Sequence, residues 1–122
     1  MEKSKRYRND TWCVYFWVVV SDDAHETRKK KKWSNIFGRI DGDFFACASQ
    51  YKQFNGIFLP KKVDHGVIAH EIHHITRDIL QRYGIPVSND TDEVYATLCE
   101  WCTNKTYEAL KQFKIKPTME PR

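Results

Sequence analysis

The segment His70-Glu71-Ile72-His73-His74 sets two imidazoles four residues apart, with a carboxylate directly after the first. On a helix, residues i and i+4 lie one turn apart on the same face, so both imidazoles can converge on one zinc ion. Glu71 is rotated by about 100° and can reach a water on that metal. Zinc lowers the pKa of such a water to about 7, and a neighbouring carboxylate can then take its proton during attack on a carbonyl. The same carboxyl group can return the proton to a leaving amine. The pattern therefore specifies metal-assisted hydrolysis, with His70 and His74 as metal ligands, Glu71 as the catalytic base and one zinc ion per chain. The competing reading is an accidental match among five histidines and seven glutamates. Against accident stands the helical periodicity of the surrounding residues, because a helix is the context this chemistry requires.

A catalytic zinc usually takes three protein ligands and keeps one position open, so a residue beyond this segment must complete the site. The acidic cluster Asp90, Asp92 and Glu93 is the source. Glu93 follows His74 by 19 residues, enough chain to finish one helix, turn at Gly84-Ile85-Pro86 and return from the first turn of a second. A helix-start carboxylate favoured by the macrodipole would look the same, and only the upstream motif tips Glu93 toward the metal. Asp92 is the reserve ligand, since one residue of phase error exchanges the two. Small Ala96, one turn on, would allow close helix approach, and Ala69 and Ile72 suggest a partly buried motif. Tyr95, His73 and Tyr83 are the candidate donors to a developing oxyanion. His65 and His73 are out of phase with the ligand pair, and packing is the simpler reading for His73.

The elements that would position these residues follow from periodicity. The nearly continuous apolar run Trp12 to Val20 predicts a central strand, and Ser21 to Lys32 a loop or extended hairpin. Trp33 to Ile40 and Phe44 to Ser49 read as paired strands around the turn signal Asp41-Gly42-Asp43. Following Asn55-Gly56, Ile57 to Leu59 ends at Pro60 and reads as an edge strand, able to hold an extended substrate by strand addition. Asp64 caps a motif helix whose apolar positions Val67, Ile68, Ile72, Ile75, Ile79 and Leu80 recur at helical spacing until Tyr83-Gly84. A second helix reaches about Phe113, with Val94, Leu98, Trp101 and Leu110 as its buried stripe. The expected architecture is a single α+β domain over residues 1–122: mainly strands over 8–60, the motif helix over 63–83, a third-ligand helix over 90–113 and an irregular tail over 114–122. Its sheet is expected to be small and antiparallel.

Composition agrees with one folded domain: the 122 residues are 41% hydrophobic and 30% charged. Lys and Arg outnumber Asp and Glu by 20 to 16, with the excess in Lys3 to Arg8 and Arg28 to Lys32. The second run reads as a solvated loop, with a nucleic-acid contact as the weaker alternative. Trp12 to Val20 is too short to span a bilayer and too rich in aromatic and β-branched residues for an export signal. Cys13, Cys47, Cys99 and Cys102 fall in segments that read as core, which favours reduced, buried thiols over a disulfide framework. The Cys99-x-x-Cys102 pair lacks the second pair of a zinc ribbon.

Val67 to His74, the Gly84-Ile85-Pro86 turn and Asp92-Glu93-Val94-Tyr95-Ala96 together resemble the short gluzincin-like metallopeptidases of phages and prophages, a group similar to the ImmA/IrrE peptidases. The likeness covers roughly residues 57 to 102. It implies a minimal zincin fold and a zinc-dependent peptidase, with His70, His74 and Glu93 as zinc ligands, Glu71 as base, a protein or peptide substrate and no membrane partner. It further implies a cytoplasmic location, that of the host cell for a phage-encoded protein. The alternative function is a non-enzymatic binding protein whose zinc is structural and whose Arg28 to Lys32 loop contacts nucleic acid or a host protein.

Overall fold

Alternation along Val14–Ser21 gives one strand two apolar faces. In the computed structural model, which describes residues 1–37, 46–49 and 53–119, this strand becomes the interior β2 of a four-stranded sheet. Glu2–Asn9 (β1), Ala46–Ser49 (β3) and Phe54–Pro60 (β4) complete it in the order β1-β2-β4-β3. Four helices surround it: Ala24–Arg28 (α1), Lys31–Phe37 (α2), His65–Arg82 (α3) and Asp92–Gln112 (α4). The α+β class is as the sequence reading has it.

The sheet is mixed, not wholly antiparallel. β1 and β2 form an antiparallel pair from Glu2↔Ser21 to Asn9↔Val14, and β3 pairs antiparallel with β4. β2 and β4, however, run parallel, from Tyr15↔Phe54 to Ser21↔Pro60. Parallel neighbours need a crossover, and α1 and α2 lie within it. β4 is consequently interior rather than an edge strand, and Phe58 is fully buried. Pro60 marks the strand's end, where its missing N–H breaks no ladder; Lys61 N donates onward to Ser21 O at 2.9 Å. The substrate rail expected at Ile57 to Leu59 is therefore not a free sheet edge: Ile57 is paired on both sides, with Val18 of β2 and Ala46 of β3, while Phe58 and Leu59 pair with β2.

Period two sends Val14, Phe16, Val18, Val20, Ile57 and Leu59 to one face, where they pack with α3 and α4 through Ile68, Ile72, Ile75, Ile79, Leu80, Leu98 and Leu110. Trp17, Val19 and Phe58 face the other way and meet Ala24, Trp33 and Phe37 from α1 and α2. Helices thus cover both faces, making three layers.

Two segments differ from expectation for visible reasons. Ser21 to Lys32 is mostly helical: Asp23 accepts from Glu26 N at 3.1 Å and caps α1. Trp33 and Phe37 are buried four residues apart on α2, a helical spacing where a strand was expected. The Asp41-Gly42-Asp43 turn and the approach to Ala46 lie outside the described residues. Arg28, expected in a solvated loop, is only 1% exposed. Lys30 and Lys32 both pair with Glu2, at 3.2 and 3.5 Å. The expected basic loop is therefore partly buried and partly neutralised. β1 was not anticipated; its Lys-Ser-Lys-Arg run lacks an apolar alternation because it is an edge strand, where charge discourages further pairing.

Asn55-Gly56 lies within β4 and not in a turn. Phe37 sits on Gly56 so closely that an added Cβ would be 2.7 Å from its Cζ. Gly56→Ala is expected to destabilise the fold by about 1–3 kcal/mol, seen as a lower denaturant midpoint at unchanged slope. The tail beyond α4 is irregular yet pinned: Thr118 N donates to Val63 O, and Thr118 O accepts from His65 N, each at 3.0 Å.

Candidate metal centre

Asp64 starts α3 by accepting from Val67 N at 2.8 Å, and Gly84 with φ +72 closes it. Between these limits the isoleucine stripe presses α3 onto the sheet. The opposite side carries His70, which is exposed, and His74, which is half-buried. Their Nε2 atoms lie 3.1 Å apart, with the rings inclined by 75°. Two nitrogens at about 2.0–2.1 Å from a tetrahedral zinc are separated by about 3.3 Å. The imidazoles, which share a hydrogen bond between these nitrogens, therefore fit one metal ion with little adjustment once that proton is displaced.

Glu71 is 6% exposed and occupies the flank between the histidines and the core. At 100° per residue its Cβ direction falls to one side of the imidazole pair and that of His73 to the other. His73 Nδ1 hydrogen bonds the hydroxyl of Tyr95 from the first turn of α4. That bond seats the start of α4 beside the motif turn. Burial raises the Tyr95 hydroxyl above its ordinary pKa, reinforced by nearby Cys99, so it stays a donor.

The structure brings together His70, His74 and, beside them, Glu71; it does not bring Glu93 to them. Glu93 and Asp92 are both exposed in the first turn of α4, and no third His, Cys, Asp or Glu joins the pair among the described residues. No family model matches this chain, and no curated protein and no solved structure does. The centre must therefore be read from its own residues.

Other candidates sort clearly. Tyr83 lies at the far end of α3, where its hydroxyl donates to Trp12 O and its ring meets Trp12 at 5.2 Å. It ties the β1–β2 loop to the helix and is too distant from His74 to serve an oxyanion. His65 bonds the Tyr107 hydroxyl at 2.6 Å and stacks on that ring, joining α3 to α4. Ala69 is exposed while Ile72 is buried, so only the isoleucine carries the expected burial of the motif, and Ala96 is exposed on α4. Val94, at 37% exposed, drops out of the buried stripe, which Leu98, Cys102, Ala109 and Leu110 form with half-buried Trp101 packed against it.

Asp78 is a residue the sequence reading missed, although the spacing His74 to Asp78 is again one helical turn. Burial pushes its carboxyl up, while Arg82, His74 and Arg77 pull it down. A carboxylate at this place can hold a ligand imidazole in one orientation.

Cysteine chemistry is separate from this centre. Cys102 is fully buried and burial pushes its thiol up to about 12, with a Thr76 hydrogen bond opposing; Cys99 is half-buried, and Cys13 is exposed. A thiol-specific reagent at pH 8 should modify Cys13 in the native protein and reach Cys102 only in denaturant, as peptide mapping would show. Equal native rates would refute the packing role of Cys102.

Proposed function

We propose that the chain is a zinc-dependent peptidase. The observation that carries the reading is the 3.1 Å approach of the His70 and His74 Nε2 atoms beside the buried Glu71 carboxyl. Zinc held there would supply a Lewis acid for a substrate carbonyl and make an attacking water acidic. Glu71 takes the proton from that water and passes it to the departing amine nitrogen. Tyr95, or His73 behind it, donates to the carbonyl oxygen as charge develops there.

Glu93 is the proposed third ligand, with Asp92 in reserve. Both side chains are solvated, so a rotamer change toward the imidazoles carries little desolvation before the ion is bound. An extended substrate would add to β3, which ends the sheet beside α3 among the described strands. This replaces the rail expected on β4. Among the described residues no helix is long and apolar enough to cross a membrane, and the proposed substrate is a peptide or protein.

The test is zinc content by elemental analysis together with cleavage of unstructured peptide mixtures followed by mass spectrometry. One zinc per chain, with cleavage lost to a chelator and restored by zinc, is expected. A folded protein that takes up no zinc would overturn the reading.

A further inference from the structure

β1 gathers cations on both of its sides. Register places Lys3, Lys5 and Tyr7 opposite Val20, Val18 and Phe16, on the side of α3 and α4. Arg6 and Arg8 fall opposite Trp17 and Tyr15, on the other side. Contacts agree with this division. Lys3 Nζ reaches Phe113 O at 3.0 Å, and the Lys105 ammonium lies 5.4 Å from the Tyr7 ring. The guanidinium carbons of Arg6 and Arg8 each stand 5.0 Å from the Tyr15 ring, with Arg6 also 5.8 Å from Trp17.

Folding thus joins the N-terminal cations to Lys105 near the other end of the chain. Nearby carboxylates cancel only part of the group. Glu2 is engaged by Lys30 and Lys32, Glu108 by Lys105, and Asp10 by Arg8. Lys3, Lys5 and Arg6 have no carboxylate partner among the described residues.

We propose that the β1 edge, through Arg6 and Arg8 on the side of the half-buried Tyr15 and Phe54 rings and Lys3 and Lys5 across the edge from them, binds single-stranded nucleic acid. Alternate residues of a strand lie about 6.6 Å apart, comparable to successive phosphates of an extended single strand. Arginines held over Tyr15 by cation–π contact are pre-organised to present N–H groups to phosphate. The half-buried rings of Tyr15 and Phe54 contact each other at 5.6 Å, backed by the buried Trp17 ring, and their exposed parts offer a place on which bases can stack. A duplex would use the charge but not the rings, and an anionic bilayer would need neither the spacing nor the stacking. The surface is on the opposite edge of the sheet from β3, so it does not depend on the peptidase reading. It also differs from the Arg28 to Lys32 run, whose Arg28 is buried.

The experiment is fluorescence anisotropy of a labelled thymidine 20-mer across a salt series with the full chain. A 20-base-pair duplex and phosphatidylserine vesicles serve as competitors. Affinity should fall with salt at a logarithmic slope of about −2 to −3, corresponding to three or four phosphates at about 0.7 each. Arg6→Gln/Arg8→Gln should weaken binding at least tenfold and make the slope shallower by about 1.4. Arg6→Lys/Arg8→Lys should keep the slope but bind several-fold more weakly, because the planar contact is lost. Lys29→Gln/Lys31→Gln, which removes the same charge elsewhere, should stay within twofold, and thermal unfolding confirms that each variant is folded. No binding by the wild type at low salt would overturn the proposal. So would tighter binding of duplex or vesicles, an undiminished Arg6→Gln/Arg8→Gln variant, an undiminished lysine variant, or an equal loss in the control.

Discussion

Glu71→Gln is expected to keep one equivalent of zinc while losing about 10²–10⁴-fold in peptide turnover, the usual contribution of a positioned general base. The amide matches the carboxylate in shape, so the packing around this 6% exposed side chain is retained. Glutamine cannot accept the proton that the attacking water must lose. The imidazoles stand on the solvent side of α3 and need no change. The discriminating result is therefore a split between metal content and rate. A variant that loses zinc and activity together would mean that Glu71 supports the site structurally. A fully active one would remove Glu71 from the chemistry. Either outcome would separate the base assignment from the metal assignment, which rests on different atoms.

Legibility from sequence followed the strength of local signals. α3 was readable from end to end because cap, stripe and terminator agree: Asp64, the isoleucines and Gly84 each favour the same helix. β2 was readable because burial on both faces leaves a continuous apolar run. β1 was hidden by its edge position, since Lys3 to Arg8 satisfies backbone pairing without burying an apolar face. α1 and α2 were hidden by shortness. Asp23 with Glu26, and Trp33 with Phe37, were usable signals, but each spans little more than one turn. The place of β4 could not be read locally at all, because pairing partners are a long-range property. Pro60 signals a strand end as readily as an edge.

The candidate centre divides in the same way. His70, Glu71 and His74 are fixed relative to one another by helix geometry alone, so their spacing was enough. The meeting of His73 with Tyr95 depends on how α3 packs against α4. So does the position of Glu93, which no motif of fixed spacing connects to His74. Asp78 was within reach of the same i, i+4 rule that found the histidines. A lone carboxylate on a helix more often faces solvent, so that spacing by itself carries little signal.

Removal of either imidazole should have the largest effect on the metal. Structural zinc sites of four ligands bind with about 10–16 kcal/mol, or about 3 kcal/mol per ligand, so His70→Ala or His74→Ala should weaken zinc by about 10²–10³-fold. Neither substitution should unfold the chain: His70 is exposed, His74 is half-buried, and alanine is the better helix former. Competition titration with a colorimetric chelator measures the affinity, and thermal unfolding gives an independent readout. Zinc at about 100 times its dissociation constant stabilises the native state by about 2.7 kcal/mol, so the wild type should melt later with zinc and the variants should not. Glu93→Gln tests the third position on the same two scales. An exposed carboxylate that must reorient contributes less than a preformed imidazole, and a loss of about 10–100-fold is expected. If Asp92→Asn shows that loss and Glu93→Gln shows none, the third-ligand assignment passes to Asp92. If the histidine variants bind zinc as tightly as the wild type, the 3.1 Å nitrogen pair is not the metal site, and both the base and the third-ligand assignments fall with it.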